Sequence, residues 1–227
     1  MIIRKQNGFT LVELLVVIGI LAILLAITLI AINPTRHFQD SRNTQRRANV
    51  NALVNSIYEY ETSNAGAMPP SVSNVGATAT AIGRSTPQTA TGTSFAAPNL
   101  TYSGLSGNAV TSGVITVTGC TQAADNGTFP VTIGTVTTIV VTDAGASAVS
   151  ATGCTIRSGA NLCTDLAPSY IADLPTDPTT GSSVGGATPC NASTTSFATG
   201  YTVAMTAGRF TIAAPGAEAG ATISVTR

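Results

Sequence analysis

The sequence predicts an α+β protein: a long N-terminal helix, membrane anchor first and amphipathic afterwards, packed on a C-terminal antiparallel β-sheet, with a disulfide-closed β-rich insertion. Three observations predict it. An apolar run opens the chain, and a polar segment with an apolar stripe follows. The remainder alternates short Val/Ile/Thr runs with Gly, Pro and Asn turns. Of the 227 residues 44% are hydrophobic and only 9% are charged, with ten basic residues against ten acids. A neutral chain has no bulk attraction for polyanions, so nucleic acid is not an expected partner. Its few charges and positive hydropathy exclude an ordinary disordered segment. Trp is absent and aromatics are 5%, so the core must come mainly from Val, Ile, Leu and Ala.

Residues 9–33 read as the first helical segment. Leu14 to Ile32 are 19 uncharged residues, and counted from Phe9 the apolar run is 24 residues interrupted by one acid, Glu13. At 1.5 Å per residue that is roughly 36 Å, enough to cross a bilayer core. Arg4 and Lys5 precede it and set the N-terminus on the cytoplasmic side. A secretory signal has an apolar stretch of about 7–15 residues ending at small residues, whereas this run passes into Asn33-Pro34-Thr35-Arg36. A carboxylate inside a membrane segment is costly, which makes Glu13 a functional-site candidate.

The string Gly8-Phe9-Thr10-Leu11-Val12-Glu13 resembles the signature of type IV prepilins and of the related pseudopilins of type II secretion. The resemblance implies a basic leader over residues 1–8, peptidase cleavage between Gly8 and Phe9, N-methylation of Phe9, and a filament-assembly role for Glu13. It implies as partners further copies of the chain in a helical filament, the prepilin peptidase and methyltransferase, and an inner-membrane assembly platform with its ATPase. It implies a single-pass precursor in the cytoplasmic membrane, then an extracellular filament on the cell surface. Such filaments serve motility, adhesion, DNA uptake or secretion. The strict resemblance covers about 30 residues, and its specificity comes from several constraints coinciding.

Residues 34–64 read as the amphipathic half. Asn33 and Pro34 favour a kink. Beyond them Val50, Leu53, Val54, Ile57 and Tyr60 or Glu61 fall on one stripe. One helix is thus expected from Phe9 to Ser63, roughly 80 Å if continuous, before Asn64 to Pro70 end it. Arg36, Arg42, Arg46 and Arg47 form a basic cluster, read as a solvated helix face near Asp40, Glu59 and Glu61. His37, the lone His, has no partner motif for catalysis.

Residues 65–227 read as an extracytoplasmic, β-rich globular domain, with 71–160 a variable insertion and 161–227 a C-terminal sheet like that of pilins. Residues 71–100 look like an extended surface loop. Val114 to Thr118 is a strand, and Phe129 to Ile133 and Val136 to Thr142 form a hairpin about Gly134-Thr135. Tyr201, Val203 and Met205, the turn at Gly208, and Phe210 and Ile212 form another hairpin, and Ile223 and Val225 suggest a last strand. Cys120, Cys154, Cys163 and Cys190 lie at wide spacings without a zinc pattern. In an exported domain they read as two disulfides, for which three pairings are open. Cys120–Cys154 with Cys163–Cys190 closes two local blocks.

No cofactor and no catalytic residue are expected. There is no phosphate-binding P-loop, and a single His supports no triad. Resemblance to secretion pseudopilins raises a calcium site, for which Asp165, Asp173 and Asp177 are the clustered acids. Their spacing fits no compact loop, and each sits beside a turn former. Asn99-Leu100-Thr101, Asn126-Gly127-Thr128 and Asn191-Ala192-Ser193 match the glycosylation acceptor pattern, which is short and recurs by chance.

Overall fold

The computed structural model describes residues 9–85, 87–105, 113–135, 137–146, 151–183, 190 and 196–227. The chain divides into two compact units between Ser41 and Arg42.

In the first unit, α1 spans Leu11–Ile32. It is apolar all round and none of its residues is buried by this chain, the pattern of a helix whose surroundings are lipid or other helices. It is long and apolar enough to cross a bilayer. Asn33 adopts a left-handed conformation (φ 43°) and caps α1, and Pro34 begins α2 (Pro34–Ser63). The expected long helix, with its expected kink at Asn33-Pro34, is thus present as α1 and α2 in succession. A left-handed residue interrupts the ladder, and Pro at the first position of α2 lacks the N–H that would bridge the break.

From Arg42 onward α2 belongs to the second unit. Asn43, Arg46, Val50, Leu53, Val54 and Ile57 recur at helical spacing and are all buried. The helix ends where Ala65 and Gly66 take positive φ and Gly66 N–H donates to Glu61 O at 2.8 Å. Two short helices follow, α3 (Pro70–Ser73) and α4 (Leu162–Leu166).

The strands before α4 are β1 (Thr80–Arg84), β2 (Gln88–Thr89), β3 (Gly92–Ala96), β4 (Asn99–Ser103), β5 (Val114–Thr118), β6 (Gly127–Gly134), β7 (Thr138–Thr142) and β8 (Thr155–Ser158). After it come β9 (Ser182–Ser183), β10 (Phe197–Thr206), β11 (Arg209–Ala213) and β12 (Ser224–Thr226). The first sheet has the order β1-β10-β11-β12, with β9 also on β10, and every pairing is antiparallel. Ala207 and Gly208 both have positive φ, the geometry that suits a two-residue hairpin between β10 and β11. Tyr201, Val203, Phe210 and Ile212 share one core with Val50, Leu53, Val54 and Ile57 of α2. Each of these α2 aliphatics is at most 1% exposed, worth about 1.5–3 kcal/mol of burial apiece.

The second sheet has the order β2-β8-β5-β6-β7-β4-β3. Its two edges, β2 and β3, are consecutive in the chain. Between them Ala90 N–H donates to Cys154 O and Thr91 N–H to Ser103 O. The sheet thus closes on itself as a small barrel through residues 88–96, which bend at Thr91 between β2 and β3. Leu100, Tyr102, Ile115, Val117, Ile139, Val141 and Ile156 fill its interior. A disulfide joins Cys120 to Cys154 (Cα–Cα 4.2 Å), and a second joins Cys163 to Cys190 (5.1 Å).

Two local expectations change. Residues 71–100 are not an extended loop but carry α3, β1, β2, β3 and the start of β4, and β1 joins the first sheet through β10. Backbone ladders form there although Thr, Ala, Ser and Gly supply little apolar signal. The β6–β7 strands stop at Gly134 and resume at Thr138, with Thr135 N–H donating to Thr138 O, so the turn is longer than two residues. Val136, assigned from sequence to that hairpin, lies outside the described residues.

Candidate functional site

The N-terminal site is built from three consecutive features of the sequence. Phe9 is 91% exposed. Thr10 is extended and caps α1. Its N–H donates to Glu13 Oε2 at 2.8 Å, its hydroxyl donates to the same oxygen at 2.8 Å, and Glu13 N–H donates to Thr10 Oγ1 at 3.3 Å. This capping box satisfies amide donors that the first helical turn leaves open. The carboxylate is thereby held at the positive end of the helix dipole. Gly8 and the rest of 1–8 lie outside the described residues.

The second arrangement was not anticipated. Arg42 and Arg46, read from sequence as part of a solvated basic face, are instead ion-paired with distant acids. Arg46 is fully buried, and all five of its N–H donors have acceptors. Nε donates to Asp177 Oδ2 at 2.6 Å, and Nη2 donates to Asp177 Oδ1 at 3.1 Å and Thr179 Oγ1 at 2.6 Å. Nη1 donates to Glu218 Oε2 at 2.9 Å and Asn43 Oδ1 at 3.0 Å. Arg42 grips Glu218 in a fork, with both bonds at 2.7 Å. Asn43 exchanges two bonds with the Glu218 backbone, and Asn49 Nδ2 donates to Tyr201 Oη at 2.8 Å. Asp177 also accepts the Thr179 and Thr180 amides at 2.8 and 3.0 Å.

Glycines make room for this turn. A Cβ on Gly200, which has φ +81°, would stand 2.6 Å from the Asp177 Cβ, and one on Gly181 would stand 2.7 Å from the Asp177 backbone.

Burial works against ionising Asp177. The Arg46 fork and the Thr179 and Thr180 amides outweigh it and hold the carboxyl well below the usual range. Hydrogen bonds from Arg42, then Arg46, bring Glu218 down to about 2. Desolvation pushes the Tyr102 and Tyr201 hydroxyls up.

The remaining candidates disperse. Asp165 accepts from Ser71 N–H, Asp173 from the Leu174 and Cys190 amides, and Asp177 from Arg46. The three acids do not come together as a cation site, because each carboxylate is engaged where its own turn puts it. His37, Arg36 and Arg47 are exposed. Asn126 Oδ1 accepts Cys120 N–H at 2.9 Å, Asn99 is exposed, and Asn191 lies outside the described residues.

A sequence signal for the buried pair did exist. The stripe of Ile57, Val54, Leu53 and Val50, continued toward the N-terminus, falls on Arg46 and Asn43. A buried Arg requires an acid, and the C-terminal region contains few.

The prokaryotic N-terminal methylation motif matches residues 3–29. This motif is characteristic of type IV pilins and pseudopilins, and the chain carries it. No curated protein and no solved structure matches the chain.

Proposed function

We propose that the chain is a structural subunit of a type IV pilus-like filament, cleaved after Gly8, N-methylated at Phe9 and assembled through α1. The observation that carries this reading is a helix of 22 residues with no buried residue, headed by a capping carboxylate in its first turn. Such a helix is stable in lipid. It is equally stable when lipid is exchanged for copies of itself, so the subunit can leave the membrane by assembling. In that core Glu13 lies where the freed Phe9 ammonium of a neighbouring copy can meet it. The prepilin peptidase and methyltransferase process the precursor, and a membrane platform with its ATPase extrudes it. The disulfide-closed barrel favours a surface fibre over a short periplasmic piston of type II secretion, since closed edges and crosslinks suit a subunit facing the medium.

Mass analysis of the assembled protein should find a chain beginning at methylated Phe9; one beginning at Met1 in fibres would overturn the proposal. Glu13→Ala makes α1 more apolar, so membrane levels and cleavage should stay normal. Fibres should be few or absent, because each buried ammonium loses its counter-charge at about 3–5 kcal/mol. Wild-type fibre counts from this variant would remove Glu13 from assembly.

A further inference from the structure

We propose that the edge of β12, with the flank of α2 beside it, is a docking groove for an extended peptide segment of a partner protein that carries one carboxylate side chain. β12 ends the first sheet, and among the described residues no strand pairs with its other side. Arg227 N–H donates to Phe210 O at 2.9 Å, Phe210 N–H donates to Arg227 O at 3.0 Å, and Ala214 N–H donates to Ile223 O at 2.9 Å. Antiparallel ladders alternate bonded and non-bonded pairs. Ile223, Val225 and Arg227 therefore form the bonded set, and the N–H and C=O groups of Ser224 and Thr226 face away from β11. These are the groups that an added strand uses.

The side chains divide in the same rhythm. Val225 packs on the core, whereas Thr226 Oγ1 lies 2.8 Å from Thr211 Oγ1 on the exposed face. Arg227, two residues beyond Val225, returns to the α2 side. There its guanidinium stands 5.9 Å from the Tyr58 ring centroid. The groove so formed has a volume of about 280 Å³ and is lined by Val54, Asn55, Tyr58, Glu59, Thr62 and Arg227. Asn55, Tyr58, Glu59 and Thr62 recur at i, i+3, i+4 and i+7, so they make one continuous wall. Val54 is 1% exposed, and Tyr58, at 48%, leaves apolar ring surface open. A helix flank beside a sheet edge suits an extended peptide: its backbone bonds to the edge and alternate side chains lie against the helix.

Charge selects among such peptides. Arg227 is exposed, and among the described residues no carboxylate lies within ion-pair distance of it. Its contact with Tyr58 is of the cation–π kind and consumes no N–H donor, so the guanidinium can still grip a carboxylate as a fork. Glu59 lines the same groove and repels a second acid, so the favoured segment offers a single carboxylate among uncharged residues.

The test uses the full chain in detergent micelles at about 50 mM salt, where exposed charges are weakly screened. The probe is the blocked, dye-labelled peptide Thr-Val-Thr-Asp-Thr-Val-Thr at up to about 1 mM, the range of weak docking. Fluorescence anisotropy should report binding, and amide exchange should slow at Ser224 and Thr226. The same peptide with Lys in place of Asp, and R227Q with the Asp peptide, should each bind about threefold or more weakly, as for an exposed ion pair. T226P removes an N–H that faces away from β11, so the sheet should stay paired while binding falls about threefold or more. If T226P fails to fold, a peptide N-methylated at alternate residues tests the same backbone bonds from the ligand side and should not bind. R47Q, an exposed Arg elsewhere on α2, should bind as wild type does. The proposal is overturned if wild type does not bind the Asp peptide, if R227Q and the Lys peptide bind equally well, or if N-methylation has no effect. An equal loss in R47Q overturns it too. So does a dimer that protects the Ser224 and Thr226 amides without peptide, since the occupant would then be a second copy.

Discussion

Arg46 is the side chain on which the second unit depends most directly. Its five donors meet Asp177, Thr179, Asn43 and Glu218, so no other residue can replace it. Lys offers three donors without a planar fork. Arg46→Ala leaves Asp177 buried without its cation and should lower the stability of the globular part by about 3–5 kcal/mol, read as a drop in the urea midpoint. Arg46→Met combined with Asp177→Asn should cost clearly less than Arg46→Met alone, because the stranded charge goes as well. Equal losses would mean that the helix stem, not the ion pair, carries the effect. This residue also marks a limit of sequence reading. Val50, Leu53, Val54 and Ile57 were legible because apolar side chains declare their own burial. For Arg46 the continued stripe signals burial but not the partner, because the acids it meets lie 131 and 172 residues away and no local pattern encodes them. At the N-terminus the whole signal is local, so Phe9 and Glu13 could be singled out from their string alone.

Among the elements, the barrel shows how backbone pairing can exceed what side chains announce. Val114–Thr118 and the β10–β11 hairpin were legible from alternation, and their registers place Val203 opposite Ile212 and Met205 opposite Phe210. β2 and β3 were not legible, since Gln88-Thr89 and Gly92 to Ala96 are small or polar apart from Phe95 and acquire order from the strands on either side. What holds such a unit is closure and crosslinking as much as apolar area. The Cys120–Cys154 bridge spans 34 residues, and loops of that length confer about 3–4 kcal/mol by restricting the unfolded chain. A Cys120→Ser/Cys154→Ser variant should therefore show faster amide exchange across β4 to β8, while β10 and β11, in the other sheet, keep their protection. Uniform loss across both sheets would mean that barrel and sheet unfold as one.

For the molecule as a whole, acid and base act through different groups. The folded-state values of Asp177 and Glu218 lie below their ordinary ones. The stability they add is complete above the ordinary carboxylate range near pH 4. It is lost as pH falls toward about 2 for Glu218, and lower still for Asp177. Tyr102 and Tyr201 are raised instead, so folding favours their neutral forms, and stability should fall as pH rises past about 10. Thermal unfolding of the second unit should thus show a plateau from about pH 5 to 9 with a decline on each side; a decline beginning at pH 6 would implicate other groups. The junction between the barrel and the first sheet, where Ser85 meets Ser158, has a consequence for how this chain could change over time or by design. Residues 85 and 158, where the barrel begins and ends, are hydrogen-bonded to each other. A segment whose ends touch behaves as a cassette: its removal leaves a gap that a tight turn can span. Replacing residues 87–157 by a short Asn-Gly turn should leave α2, the first sheet and the Cys163–Cys190 bridge folded and soluble. The same junction should accept an unrelated domain with adjacent termini, which would make the subunit a carrier for foreign cargo.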